Sequence, residues 1–183
     1  MFSDKLPTKQ SKTYPMSLFT QLRQLYARDK FRLEDFHTEI VAQVLRNSPQ
    51  LVVVWLSGFD WKGRLDLTPM REPDSIQVAT QEEFAALEDH ETDSRPDIAI
   101  RLCKDERQLL VLVESKVGST EGFEQLKRYA EHLAQRPHTH STALIYITRD
   151  FEAEKTFPIL PKKVAFAQSR WFEFYRCLQR YPK

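Results

Sequence analysis

Apolar positions recur along the chain at two spacings, and the change from one to the other marks out the elements. Leu18, Leu22, Leu25 and Tyr26 repeat three to four apart and predict a first helix. Leu33, Phe36, Ile40, Val44 and Leu45 keep that step and predict a second helix, from about residue 32 to 46. Ser48-Pro49 has the chemistry of a helix N-cap and first turn. The β-branched run Val52–Val54 that follows fits a helix or a strand equally well. Gly58, Gly63, Pro69 and Pro73 then punctuate an irregular stretch, with a short strand expected at 64–68. Ser75 to Gln81 alternates like a strand, and the acidic run 82–94 reads as a loop with a helical turn.

The period then becomes strictly two. In RPDIAIRL, Ile98, Ile100 and Leu102 share one face while Asp97, Ala99 and Arg101 share the other. After the polar link CKDERQ, LLVLVESK is almost continuously apolar, the mark of a central strand buried on both faces. Gly118 closes it. Residues 121–135 return to helical spacing, with Phe123, Leu126, Ala130 and Leu133 on the inner face. Thr142 to Thr148 predicts another buried strand, and Trp171, Phe174, Tyr175 and Leu178 predict a closing helix. The expected class is α/β, with a mixed central β-sheet flanked by helices.

Composition narrows this without changing it. A chain of 183 residues, 41% hydrophobic and 29% charged, suits a single domain over 1–183. Within it residues 1–30 read as an N-terminal extension and helix, 32–148 as the core, and 149–183 as a basic C-terminal segment with a helix. Net charge is only +1, which excludes a globally basic coat protein. The charge is unevenly spread, since residues 155–183 hold seven lysines and arginines against one acid. Cys103 and Cys177 make neither a disulfide framework nor a metal cluster. With no apolar leader and no long apolar run, the expectation is a cytoplasmic protein with no membrane contact.

The two alternating segments carry the chemistry. Folded as a hairpin with Leu102 opposite Leu109, they place Ile100 against Val111, Ile98 against Val113 and Asp97 against Glu114. Directly opposed side chains point to one face with Cβ atoms roughly 4.5–5.5 Å apart, and Lys116 shares the face of Glu114. Two carboxylates that close repel, and burying them unpaired costs several kcal/mol in order of magnitude. A divalent cation held by both removes the conflict, and hard oxygen ligands select Mg²⁺ or Mn²⁺. Lys116 is then positioned to act on an attacking water or on the charge of the transition state. The set suits metal-assisted hydrolysis of a phosphodiester.

Pro96-Asp97, sixteen residues of strand, turn and strand, and then Glu114-Ser115-Lys116 resemble the PD-(D/E)XK nuclease superfamily. Its fold is restriction-endonuclease-like. Gln125 and Tyr129 resemble the Q-x-x-x-Y motif of some exonuclease-type branches, and their spacing of four puts both on one helix face. The resemblance implies Asp97, Glu114, the Ser115 carbonyl and Glu39 as metal ligands. It also implies catalytic or positioning roles for Asp97, Glu114, Lys116, Gln125 and Tyr129, and nucleic acid, DNA before RNA, as substrate. Ser115 departs from the pattern, because that position is usually apolar in the superfamily. An acid two residues before a lysine is common by chance, and Asp60-Trp61-Lys62 is a second instance without the strand context.

Plainer readings stand beside these. Asp97 also suits a turn, Glu114 and Lys116 a surface ion pair, and Glu39 an ordinary helix surface. His138-Thr139-His140 reads as a loop, and Trp171, Phe172, Phe174 and Tyr175 as helix packing rather than base stacking. The basic side chains of Lys127, Arg128, Lys162, Lys163 and Arg170 are candidate phosphate contacts or plain solvated charge. The alternative to an active nuclease is a catalytically inactive domain of the same fold that binds nucleic acid or protein. A homodimer and a further domain beyond residue 183 are both left open.

Overall fold

The computed structural model describes residues 33–116, 123–137, 139–149 and 160–181. The helix expected at 18–26 lies outside the described residues. The chain runs α1 (Leu33–Asn47), α2 (Pro49–Ser57), a 3-10 turn at Thr68–Met70, then β1 (Ser75–Thr80), β2 (Ile98–Lys104) and β3 (Arg107–Lys116). It continues through α3 (Phe123–Ala134), β4 (His140–Thr148), β5 (Ala165–Arg170) and α4 (Trp171–Arg180). The five strands form one sheet in sequence order. β1, β2 and β3 are antiparallel neighbours, whereas β4 lies parallel to β3 and β5 parallel to β4.

The β2–β3 register is the one the alternation predicts, with Leu102 opposite Leu109, Ile100 opposite Val111 and Ile98 opposite Val113. Alternation then sorts the side chains into two cores. On one face Ile98, Ile100, Val111, Val113 and Ile145 pack with Leu45 of α1, Leu56 of α2 and Phe174 of α4. On the other Ala99, Leu110, Leu112, Leu144 and Tyr146 pack with Leu126, Tyr129 and Leu133 of α3. Strands covered on both faces account for the unbroken apolar runs of β3 and β4.

The undecided Val52–Val54 segment is helical. Pro49 stands in the first turn, although Ser48 makes no side-chain cap bond. α2 has Leu51, Val52, Val53, Trp55 and Leu56 in the core and Gln50, Val54 and Ser57 on its outer face, so the valine in the middle of that face hides the helical period.

One expected strand is absent and one observed strand was not expected. Residues 64–68 form no strand: Leu65 and Leu67 alternate, yet they lean on the core from a turn that runs into the 3-10 segment. β5 was not expected, because its buried positions Ala165 and Ala167 are too small to give a strand signal. The acidic segment 82–94 is a loop with a turn at 88–89, closed by a bridge between Phe84 and Ser94. Of the histidine loop, His138 lies outside the described residues and His140 opens β4.

Candidate active site

The C-terminal ends of β3, β4 and β5 lie together, since Lys116 is the register partner of Thr148 and Thr148 that of Arg170. Antiparallel pairing brings the N-terminal end of β2 and the C-terminal end of β1 to the same edge of the sheet. Asp97 stands one residue before β2, so continuing the register sets it opposite Glu114. Both are removed from water, with Asp97 7% and Glu114 1% exposed.

Each acid is held by named donors. The Ser115 backbone N–H donates to Asp97 Oδ2 at 2.7 Å, and Gln81 Nε2 donates to Asp97 Oδ1 at 3.0 Å. The backbone N–H of Gln81 also donates to the Asp97 carbonyl, at 3.2 Å. Gln81 adopts a left-handed backbone with φ +53°, which costs a non-glycine residue about 1–2 kcal/mol. Its two bonds to one residue offset that strain and fix the carboxylate. Nothing in the sequence marks Gln81 beyond its place at a strand end. Lys116 Nζ donates to Glu114 Oε1 at 2.5 Å, the charge-assisted contact that two same-face positions on one strand allow.

α3 closes this end on the second face. Gln125 Nε2 donates to the Tyr129 hydroxyl at 2.7 Å, and that hydroxyl donates to the Arg95 carbonyl at 2.8 Å, two residues before Asp97. Burial first, and then the negative charge of Glu114, push the Tyr129 pKa far upward, so the phenol stays neutral and acts as a donor. Asp97 adds to that upward push, which fits both acids facing α3. Gln125 and Tyr129 therefore grip the segment carrying Asp97. Tyr129 is also a full member of the α3 core stripe; the side chain of Phe123, expected there, lies outside the described residues.

Ser115 points the other way. Trp171 Nε1 donates to its Oγ at 3.3 Å, tying the start of α4 to the strand that carries Glu114 and Lys116. The Trp171 ring in turn meets His37 of α1 at 4.5 Å. Glu39 sits at the same edge of the sheet, but its carboxylate is engaged by Arg46 Nη1 at 2.5 Å and by the Thr80 hydroxyl at 2.7 Å. Arg46 also donates to the Val78 carbonyl at 2.9 Å, so this network clamps α1 to β1. Asp60, of the second acid-x-Lys instance, caps a local turn by accepting from the Lys62 N–H, whereas Asp74, which follows Pro73, accepts from Lys104 Nζ and the Asp105 N–H at the β2–β3 turn.

Among the described residues, no group of three or more His, Cys, Asp or Glu side chains converges to hold a metal. The donors present nonetheless suit Mg²⁺, which is commonly held by one or two carboxylates and keeps its remaining sites for water and phosphate. Asp97 and Glu114 supply two carboxylates, and a hydrogen-bonded carboxylate keeps lone pairs for a cation.

A search of curated proteins and one of solved structures each return no match. No helix among the described residues is long and apolar enough to cross a membrane. The family model of the PD-(D/E)XK nuclease superfamily, whose members are generally nucleases that use divalent metals such as Mg²⁺, matches residues 25–181. A five-stranded mixed sheet with helices on both faces, the hairpin carrying Asp97 and Glu114-Ser115-Lys116, and that match together make this chain a member of the PD-(D/E)XK nuclease superfamily, with its restriction-endonuclease-like α/β fold.

Proposed function

We propose that this chain is a metal-dependent nuclease that hydrolyses phosphodiester bonds of nucleic acid, with DNA as the substrate class. The observation that carries the reading is the meeting of two buried carboxylates and a lysine, drawn from both strands of one hairpin, at an edge of the sheet. In this reading Asp97, Glu114 and the Ser115 carbonyl hold Mg²⁺ or Mn²⁺, and Glu39, paired with Arg46 and Thr80, braces α1 against β1 at the same edge. When bound, the cation neutralises charge on the scissile phosphate and lowers the pKa of water. Gln81 and the Ser115 N–H hold Asp97 in place. Lys116, gripped by Glu114, presents its ammonium group where it orients the attacking water or steadies charge on the phosphate. Gln125 and Tyr129 fix the Arg95–Asp97 segment so that its carboxylate does not drift.

The test incubates the full chain with supercoiled plasmid and end-labelled single-stranded oligonucleotide in Mg²⁺, Mn²⁺ or EDTA. Cleavage is expected with either metal and absent in EDTA. Asp97→Ala and Lys116→Ala each lower the rate at least about a hundredfold, with unchanged far-UV circular dichroism. Full activity in either variant refutes the assignment. The engagement of Glu39 by Arg46 and Thr80 favours a second reading, a domain of this fold that binds without cutting. Wild-type protein that retains nucleic acid yet leaves it whole in every metal would establish that second reading.

A further inference from the structure

Four large apolar side chains stand exposed among the described residues, and two of them, Phe172 and Tyr175, are on α4 at 55% exposure each. This corrects the expectation that all four aromatics of this helix are packing residues. Trp171 and Phe174 turn inward, whereas Phe172 and Tyr175 turn out. With Arg176 and Gln179 they fall at steps of three and four, so they make one continuous stripe along the helix. The stripe is internally ordered. The Arg176 guanidinium lies over the Phe172 ring at 5.8 Å, and Gln179 Nε2 donates to the Tyr175 hydroxyl at 3.0 Å.

We propose that this stripe docks a single-stranded stretch of DNA leading to the Asp97–Glu114–Lys116 edge, an inference that rests on the nuclease reading above. Three observations select that occupant. The first is charge: Arg170, Arg176 and Arg180 face one acid, Glu173, which is bridged by Arg170 at 2.9 Å and Arg176 at 3.7 Å and so is largely neutralised. The second is continuity. α4 begins where β5 ends, two strands from Lys116 along the same sheet edge, or on the order of 10 Å at the usual strand spacing. Its first residue, Trp171, is bonded to Ser115, whose side chain faces away from the acids, so α4 reaches this edge from the opposite face of the sheet, and exposed Arg149 lies beside the edge with its N–H on the Lys116 carbonyl. The third is the chemistry of the stripe. Outward aromatic rings interleaved with arginine are what unpaired bases and their phosphates require, because every base offers a π-face and paired bases hide theirs. Arg176 also borders a cleft of about 500 Å³ whose other charged lining is Arg180, Glu173 and Asp60, and the two rings stand outside it.

The experiment measures binding without cleavage. Fluorescence anisotropy of a 5′-labelled oligo-dT in EDTA compares the full-length wild type with Phe172→Leu/Tyr175→Leu, which keeps apolar area and removes the rings. The expected result is an affinity for oligo-dT lower by about tenfold or more, a change of less than about twofold for a blunt duplex of equal length, and an unchanged melting temperature. Phe172→Tyr/Tyr175→Phe, which keeps both rings, should bind like the wild type. Unchanged oligo-dT affinity in the leucine variant overturns the proposal, and so does an equal loss on the duplex. A wild-type dimer in sedimentation that the leucine variant dissolves overturns it as well, by showing that a second copy covers the stripe. Because the assay needs no catalysis, the two readings fail separately. Metal-dependent cleavage with a leucine variant that binds normally removes only the docking surface, whereas ring-dependent binding with no cleavage removes only the nuclease.

Discussion

Tyr129 shows how one side chain serves both the core and the site. It is 1% exposed and packs among Leu126, Ala130 and Leu133, yet its hydroxyl links Gln125 to the Arg95 carbonyl. Tyr129→Phe keeps the packing and removes that link, so it should cost about 1–2 kcal/mol in urea unfolding. If the link positions Asp97, the cleavage rate of the same variant falls while its affinity for DNA in EDTA does not. A rate equal to the wild type would leave the hydroxyl with a structural duty alone. At this scale the sequence was informative where parity acts: Asp97, Glu114 and Lys116 on one side and Ser115 on the other follow from counting along two strands. It was silent on Gln81, because a left-handed backbone at a glutamine carries no compositional mark. It was equally silent on the network in which Arg46 and Glu39 both bond Thr80, thirty-four positions beyond Arg46.

Among the elements, α2 carries the sharpest stability contrast. Leu56 is 1% exposed and Val54 42% on the same short helix. Leu56→Ala should destabilise by about 2–5 kcal/mol and Val54→Ala by less than about 0.5 kcal/mol, as read from denaturation midpoints. Similar losses at the two positions would mean that the helix does not lie where it is described. α2 also shows why the element was ambiguous, since the lone exposed valine in a buried run gives neither a period of two nor one of 3.6. The strand expected at 64–68 failed for the opposite reason. Its alternation was real, but no neighbouring strand offers partners for its backbone, and alternation without a ladder is only a turn that leans on the core.

For the molecule as a whole, acid sensitivity is expected on the α3 side. His132 lies beneath the 82–94 loop, 5.9 Å from Phe84 and 5.3 Å from His90, with His90 bonded to Glu131 at 2.6 Å. Burial, and then the neighbouring His90 and Arg136, hold its pKa below the ordinary 6.5, while Glu131 pulls weakly the other way. The unfolded chain therefore takes up a proton near 6.5 while the folded chain resists, so stability falls as pH drops from that value toward the lower folded one. Urea midpoints should decline between about pH 7 and 5, and His132→Gln should flatten part of that decline. A decline of equal size in the variant would assign the acid response elsewhere. The sheet order has a different consequence. Glu114 lies on β3, which is an outer strand until β4 joins it, and Tyr129 and β4 both follow Glu114 in the chain. A ribosome must translate well past Thr148 before the two carboxylates can be enclosed, so a shorter nascent chain carries Asp97 and Glu114 without the β4 and Tyr129 neighbours that bury and position them.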